Sequence, residues 1–372
     1  MGPELHSISR YPQTMVRFTV LASGSRGNAT VVSGGRTRIL VDCGLSCREL
    51  FRRMKLAEED AETLDAIIIS HEHSDHVGGV AVTARKLNIP VYFTEGTHRA
   101  WMRWLQPRRQ MTYAQWLEQI RRQAAERQAE AVSDEGEADE TDLVEAVDIG
   151  SDSSESGEKQ AAGAKARIDI AASTARLKSC PDTDPCPDTD QGISTAPSSL
   201  KADPSWLPAV EYFKAGEAFE IGDIRISPFT TPHDAADPVG FVFDSAGVRM
   251  GFVTDLGYIS PNVKAQLQNL DLLLLESNHD LEMLRDGPYP WAVKQRVMSR
   301  VGHLSNEAAA GFLEDGYDGQ AAYVILAHLS ENNNLPELAR VTAERALNGR
   351  RRLLANLLLL AVQNKPLSSI YF

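Results

Sequence analysis

The chain of 372 residues is 42% hydrophobic and 24% charged, an ordinary globular composition, so a soluble protein with a sizeable core is expected. Its net charge of −13 argues at first sight against a nucleic-acid partner, yet 18 acidic and 7 basic residues lie between Arg127 and Pro204, leaving 33 acidic and 31 basic residues elsewhere. The part that can fold is therefore nearly neutral, and its partner is not legible from global charge.

Residues Met1 to Pro12 lack the apolar stretch of a secretory signal, which leads us to expect a cytoplasmic protein. Short β-patterned runs follow at Val16–Ala22, Ala29–Val32, Arg38–Val41, Ala66–Ser70 and Pro90–Phe93, with a helix over His76–Leu87. A further helix is expected over Tyr113–Glu130, where Trp116, Leu117 and Ile120 fall on one side. From about Val132 to Pro204 the chain is rich in Ser, Asp, Glu, Ala, Gly, Thr and Pro, and it contains the tandem Cys180-Pro-Asp-Thr-Asp-Pro and Cys186-Pro-Asp-Thr-Asp. Such a segment buries too little apolar surface to offset its ordering entropy, so residues 132–204 read as a disordered acidic insertion within a domain spanning 13–372.

After the insertion, strand-like runs recur at Ile224–Pro228, Val239–Phe243, Arg249–Thr254, Leu272–Glu276 and Ala322–Ala327, with helices at Asn306–Leu313 and Pro336–Leu347. Two strand-rich halves with helices outside make an αββα sandwich of the α/β class plausible. The apolar run Leu353–Val362 is about half of the roughly 20 residues that a bilayer span needs, so no membrane segment is expected. Four cysteines are too few for a disulfide scaffold, and all are expected to be free and inert. A metal pair at Cys43 and Cys47, or a zinc knuckle at Cys180 and Cys186, would each lack its remaining ligands.

The chemistry concentrates in His71-Glu72-His73-Ser74-Asp75-His76, directly after the apolar run Ala66–Ser70. Side chains two residues apart on a strand end share a face, so His71 and His73 can point to one place, while the next turn carries Asp75 and His76 to a second. Imidazoles and a carboxylate suit zinc, manganese or iron, and two such ions about 3.5–4 Å apart can share a bridging hydroxide. Two ions need more than four ligands. His233, Asp255 and His328 each follow a predicted strand, the same position that the first four occupy.

This pattern resembles the metallo-β-lactamase superfamily, which implies a four-layer αββα sandwich. By that resemblance His71, His73 and His233 hold one ion, Asp75, His76 and His328 the other, and Asp255 bridges them, while Asp42 in Leu40-Val41-Asp42-Cys43-Gly44 orients the ligand loop. The implied cofactor is a pair of divalent ions, zinc first, with manganese or iron as alternatives. The strings Leu21–Asn28, Thr254–Tyr258, Glu276–Asp280, Gly302–Glu307 and Ala327–Asn333 are similar to the YycJ (WalJ/VicX) branch, cytoplasmic hydrolases of nuclease type, although that branch does not normally carry the acidic insertion.

The resemblance further implies a phosphodiesterase or DNA exonuclease with a nucleic-acid substrate. Beside Asp75 in the catalytic set, the implied role of His303 is to protonate the leaving oxygen or to clamp the phosphate, with Glu276 fixing its tautomer, while Ser25, Asn28, Asn278 and His279 line the pocket. His6 and His98 read as surface residues. A thioester or lactone hydrolase on the same metal core is the alternative, in which His303 and Glu276 would be superfluous. A diiron oxygen reductase would need a carboxylate where His73 stands, and a non-catalytic protein would not need every ligand position filled.

Overall fold

The computed structural model describes residues 15–105, 122, 203–348 and 356–372. Two compact units are distinguished, one formed by Met1–Pro107 with Leu200–Phe372 and the other by Arg108–Ser199. Of the second unit only Arg122 is described, in helical conformation, within the helix expected over Tyr113–Glu130. The remainder of that helix, all but the last two residues of the 132–204 insertion, Cys180, Cys186 and His6 lie outside the described residues.

The first unit is built on two seven-stranded mixed sheets. The first contains β1 (Arg17–Ala22), β2 (Ala29–Gly34), β3 (Thr37–Val41), β4 (Ala66–Ile68), β5 (Val91–Phe93) and β6 (Val210–Tyr212). The second contains β7 (Phe219–Ile221), β8 (Ile224–Thr230), β9 (Val239–Ser245), β10 (Val248–Val253), β11 (Leu272–Glu276), β12 (Tyr323–Ala327) and β13 (Leu357–Leu360), while β14 (Ile370–Tyr371) returns to pair with β1. In the first sheet β3, β4, β5 and β6 run parallel, and in the second β10, β11, β12 and β13 do so.

The two-residue alternation of strands explains the layers. In β11, Leu272 and Leu274 enter the core between the sheets, while Leu273 and Leu275 face the helices outside the second sheet. In β3, Ile39 and Val41 join that same central core, and Leu40 faces outward with Leu50 and Met54 of the helix Cys47–Leu56. Residues Ala309, Ala310, Ala339 and Ala343 of the helices Asn306–Gly311 and Pro336–Asn348 cover the other outer face. Three apolar layers thus separate four layers of structure, the αββα sandwich that the motif implied.

Differences from the sequence reading have local causes. The single helix expected over His76–Leu87 is two, Ser74–Val77 and Val80–Leu87, because the Asp42–Leu45 loop packs into the break. A Cβ at Gly79 would lie 1.9 Å from the Leu45 carbonyl oxygen, and the Gly79 amide donates to the Cys43 carbonyl at 2.7 Å. The helix expected to reach Leu313 gives way to a wider turn over Phe312–Gly316. The apolar run Leu353–Val362 supplies edge strand β13, and no helix among the described residues is long and apolar enough to cross a membrane.

Candidate metal centre

The parallel strands deliver chemistry at their C-terminal ends, where an open sheet leaves its crevice. Pairing of Val41 with Ile68 sets Asp42 beside Ser70, whose amide and hydroxyl donate to the Asp42 carboxylate at 2.8 and 2.9 Å. Pairing of Glu276 with Ala327 likewise brings Glu276 next to His328. Asp42 and His328 directly follow the last residue of a strand and Asp255 stands one residue further on, and each turns into the left-handed region, with φ of 58°, 57° and 58°. Such a backbone costs a non-glycine residue about 1–3 kcal/mol, so it persists where the surroundings fix it. Here it swings one side chain from each strand end toward a common point.

His71, His73 and His233 form one donor group, Asp75, His76 and His328 a second, and Asp255 belongs to two further groups, with His71 and His76 and with Glu276, His303 and His328; within each group the donor atoms lie within 4.8 Å of one another. Asp255 Oδ2 is 3.3 Å from His76 Nε2 and its Oδ1 is 3.9 Å from His233 Nε2, so one carboxylate reaches toward both halves. Four histidines have their outward nitrogen held: His71 Nδ1 by the Ser70 hydroxyl at 3.1 Å, His76 Nδ1 by Asp42 at 2.8 Å, His233 Nδ1 by the Gly302 carbonyl at 3.0 Å and His328 Nδ1 by Glu276 at 2.8 Å. That leaves Nε2 of each ring facing inward.

These residues fit divalent ions by a direct test. His71 Nε2, Asp255 Oδ2 and His328 Nε2 are buried without a hydrogen-bond partner among the described residues, although an unmet buried polar atom costs about 1–3 kcal/mol. Nitrogen and carboxylate donors converging in this way suit zinc, manganese or iron.

The electrostatics agree. Burial, then the neighbouring imidazoles of His76 and His233, push His71 well below the usual histidine range. Burial also opposes protonation of His76 and His328, but Asp255 leads the carboxylates that outweigh it and drive both well above that range. Against the same burial, the adjacent imidazoles hold Asp75, Asp255 and Glu276 low. The carboxylates demand positive charge at this point, and a divalent cation meets that demand in place of protons.

The Metallo-beta-lactamase superfamily model matches residues 22–154, and a Beta-lactamase superfamily domain model matches residues 199–329. The chain belongs to the metallo-beta-lactamase superfamily. It is 29% identical over 332 residues to exodeoxyribonuclease YycJ of Bacillus anthracis, covering 89% of each chain. It is 28% identical over 326 residues to exodeoxyribonuclease WalJ of Streptococcus pneumoniae, covering 88% of this chain and 86% of that one. The crystal structure of the metallo-beta-lactamase fold protein YhfI from Bacillus subtilis aligns with a TM-score of 0.51 at 13% identity, covering 95% of this chain and 99% of that one, and supports the fold. Membership makes the chain a metal-dependent hydrolase, and its donor groups are those of a divalent-metal centre.

In this superfamily member the donors open onto a pocket of about 530 Å³, lined by Ser25, Asn278 and His303 among the expected residues. His303 donates from Nδ1 to Glu276 at 2.9 Å, and its side chain keeps 21% exposure, so the rest of its ring meets the pocket. Burial opposes its protonation, but Glu276 raises its pKa above the usual value. Glu276 itself is fully buried, and also accepts from the amides of Leu256 at 3.0 Å and Leu304 at 3.2 Å. It reaches the pocket only through His303 and His328.

Two expected pocket residues do not line it. Asn28 is buried behind the centre, where its amide nitrogen stands 3.2 Å from Asp75 Oδ2 and 3.0 Å from His76 Nε2. His279 is buried in the seam between the 276–280 and 303–306 segments, its carbonyl accepting from Asn306, and burial pushes its pKa down to about 4. His98, expected at the surface, is half-buried, stacks on Phe93 and bonds to the Tyr212 hydroxyl at 2.7 Å. Cys43 and Cys47 are buried free thiols, as expected, and burial pushes Cys43 up to about 12.

The sequence reading missed Ser70, whose hydroxyl joins Asp42 to His71, although its place between the strand and the motif was a signal. It also missed Trp104, Tyr289 and Arg296 on the pocket wall. They come from the helices Glu95–Leu105 and Trp291–Val297 and the turn before the latter, none of which carries a motif.

Proposed function

We propose that this protein is a cytoplasmic DNA exonuclease that hydrolyses phosphodiester bonds at a dinuclear centre, with zinc as the first choice of metal. Two relatives at 28–29% identity are named exodeoxyribonucleases, which supports this reading. The observation that carries it is His303, a pocket-facing histidine tied to a buried glutamate and 3.7 Å from Asp255, because the metal donors alone would serve a lactone or thioester equally well.

In this proposal His71, His73 and His233 hold one ion, Asp75, His76 and His328 the other, and Asp255 contributes to both. When bound, the ions supply Lewis-acid polarisation of the phosphoryl oxygens and an acidified water. Asp42 holds His76 in the tautomer that turns Nε2 inward. Glu276 accepts the Nδ1 proton of His303, which leaves Nε2 to give a proton to the oxygen that departs from phosphorus. Asn278 and Ser330 offer polar groups to the phosphate from the pocket wall.

The test is to incubate metal-loaded protein with end-labelled single- and double-stranded DNA, with RNA, with bis(p-nitrophenyl) phosphate and with a panel of thioesters and lactones. Stepwise shortening of DNA from an end is expected. Turnover of a thioester or lactone with DNA left intact would overturn the reading.

A further inference from the structure

The pocket has two kinds of wall. Around the metal donors it is polar, whereas its outer part is lined by Trp104, Tyr289, Val293 and Val297. Trp104 stands out because its ring makes no aromatic stack or cation contact among the described residues. Trp101, one turn earlier on the same helix, is only 1% exposed and stacks on Phe93, whereas Trp104 is 56% exposed at the pocket mouth. Tyr289 faces the same space with its hydroxyl accepting from the Asn332 amide at 3.3 Å. Val293, Arg296 and Val297 lie at i, i+3 and i+4 on one helix, so a single face presents apolar surface and a cation together. Arg296 is paired through Nε with Asp234, which fixes it at the rim.

We propose that Trp104 is the base-stacking residue of this site and that the substrate is an unpaired nucleotide at a DNA strand end. This rests on the phosphodiesterase reading above. A flat aromatic ring half open to water beside a phosphate-cleaving centre matches the π-face of a nucleobase, and such stacking is tolerant of sequence because every base has that face. The size agrees. About 530 Å³ lies within the roughly 300–1,000 Å³ typical of pockets for single small ligands, so it has room for an unpaired nucleotide. Arg296 is set to meet a flanking phosphate.

The test compares full-length metal-loaded wild type, Trp104→Ala and Trp104→Phe on two single-stranded oligonucleotides, one normal and one carrying an abasic residue at the end where degradation starts. For wild type, removing the base should raise KM about 5- to 150-fold with little change in kcat, the range expected for one lost stack. Trp104→Ala should show the raised KM on the normal strand and no further rise on the abasic one, while Trp104→Phe keeps most of the base dependence. A loss of packing alone would not abolish sensitivity to the base. If wild type shortens DNA and the Trp104→Ala protein retains the full base dependence, the stacking role is overturned and the phosphodiesterase reading stands. If wild type leaves DNA intact, both fall.

Discussion

An imidazole has two nitrogens, and in this centre each of four rings has one of them anchored by a group behind it: a hydroxyl, a carbonyl or a carboxylate. His303 shares this device, tied through Nδ1 to the same Glu276 oxygen that holds His328, yet it stands at the pocket and outside both three-residue groups assigned to the individual ions. We therefore predict that His303→Ala lowers kcat about 10²–10⁴-fold while metal content stays unchanged, the range for loss of a general acid. The loss should shrink on a substrate with a nitrophenolate leaving group, which scarcely needs a proton. A variant with full nuclease activity, measured by steady-state kinetics on both substrates, would remove His303 from the chemistry. The residues of the candidate donor groups stood out in the sequence because metal-binding residue types recur in the loops and turns that follow apolar strands. Asn28 and His279 show where such reading stops: both stand in strings that match a family, but a string does not tell how deep a side chain lies, and Asn28 is buried against Asp75 and His76 while His279 is buried in the seam between two segments, so neither lines the pocket.

At the scale of elements, the ligand loop is held by backbone as well as by side chains. The amides of Asn28, Cys43, Gly44 and Gly79 donate to the carbonyls of Asp75, His76, Asn28 and Cys43 at 2.7–2.9 Å, interlocking three segments around the motif. Glycine is required at the centre of that interlock, because a Cβ at Gly44 would sit 1.6 Å from the Asp75 carbonyl oxygen. Gly44→Ala is expected to cost at least the ~1–3 kcal/mol of ordinary overpacking and to weaken metal binding together with stability. Thermal melts of the metal-free and metal-loaded variant check this, and a protein as stable as wild type in both forms would contradict it. Strands of five or more residues with a continuous apolar run, such as β3 and β11, were legible. The short strands β6 and β7 and the short helices Leu281–Asp286 and Trp291–Val297 were not, because so few residues give periodicity no room to show and, unlike β4, they are not marked by an apolar run beside a motif. That is why Val293, Arg296 and Val297 of the pocket wall were missed while the candidate metal donors were read.

For the whole molecule, the charge asymmetry separates the near-neutral sandwich from the acidic insertion. The fold was legible through the motif rather than through propensity, since the order of fourteen short strands depends on pairings far apart in the chain, such as β1 with β14. The composition of the insertion leads us to expect that replacing residues 133–199 by a short Gly/Ser joint leaves stability and metal binding intact. Precipitation of the shortened protein, or loss of its metal, would make the segment structural. The central claim is that strand ends from both sheets build one centre for two ions, and elemental analysis of the full-length protein after equilibration with zinc or manganese tests it most directly. Two ions per chain are predicted, falling to one in His76→Ala; a wild-type protein that saturates at one ion or binds none would contradict the account.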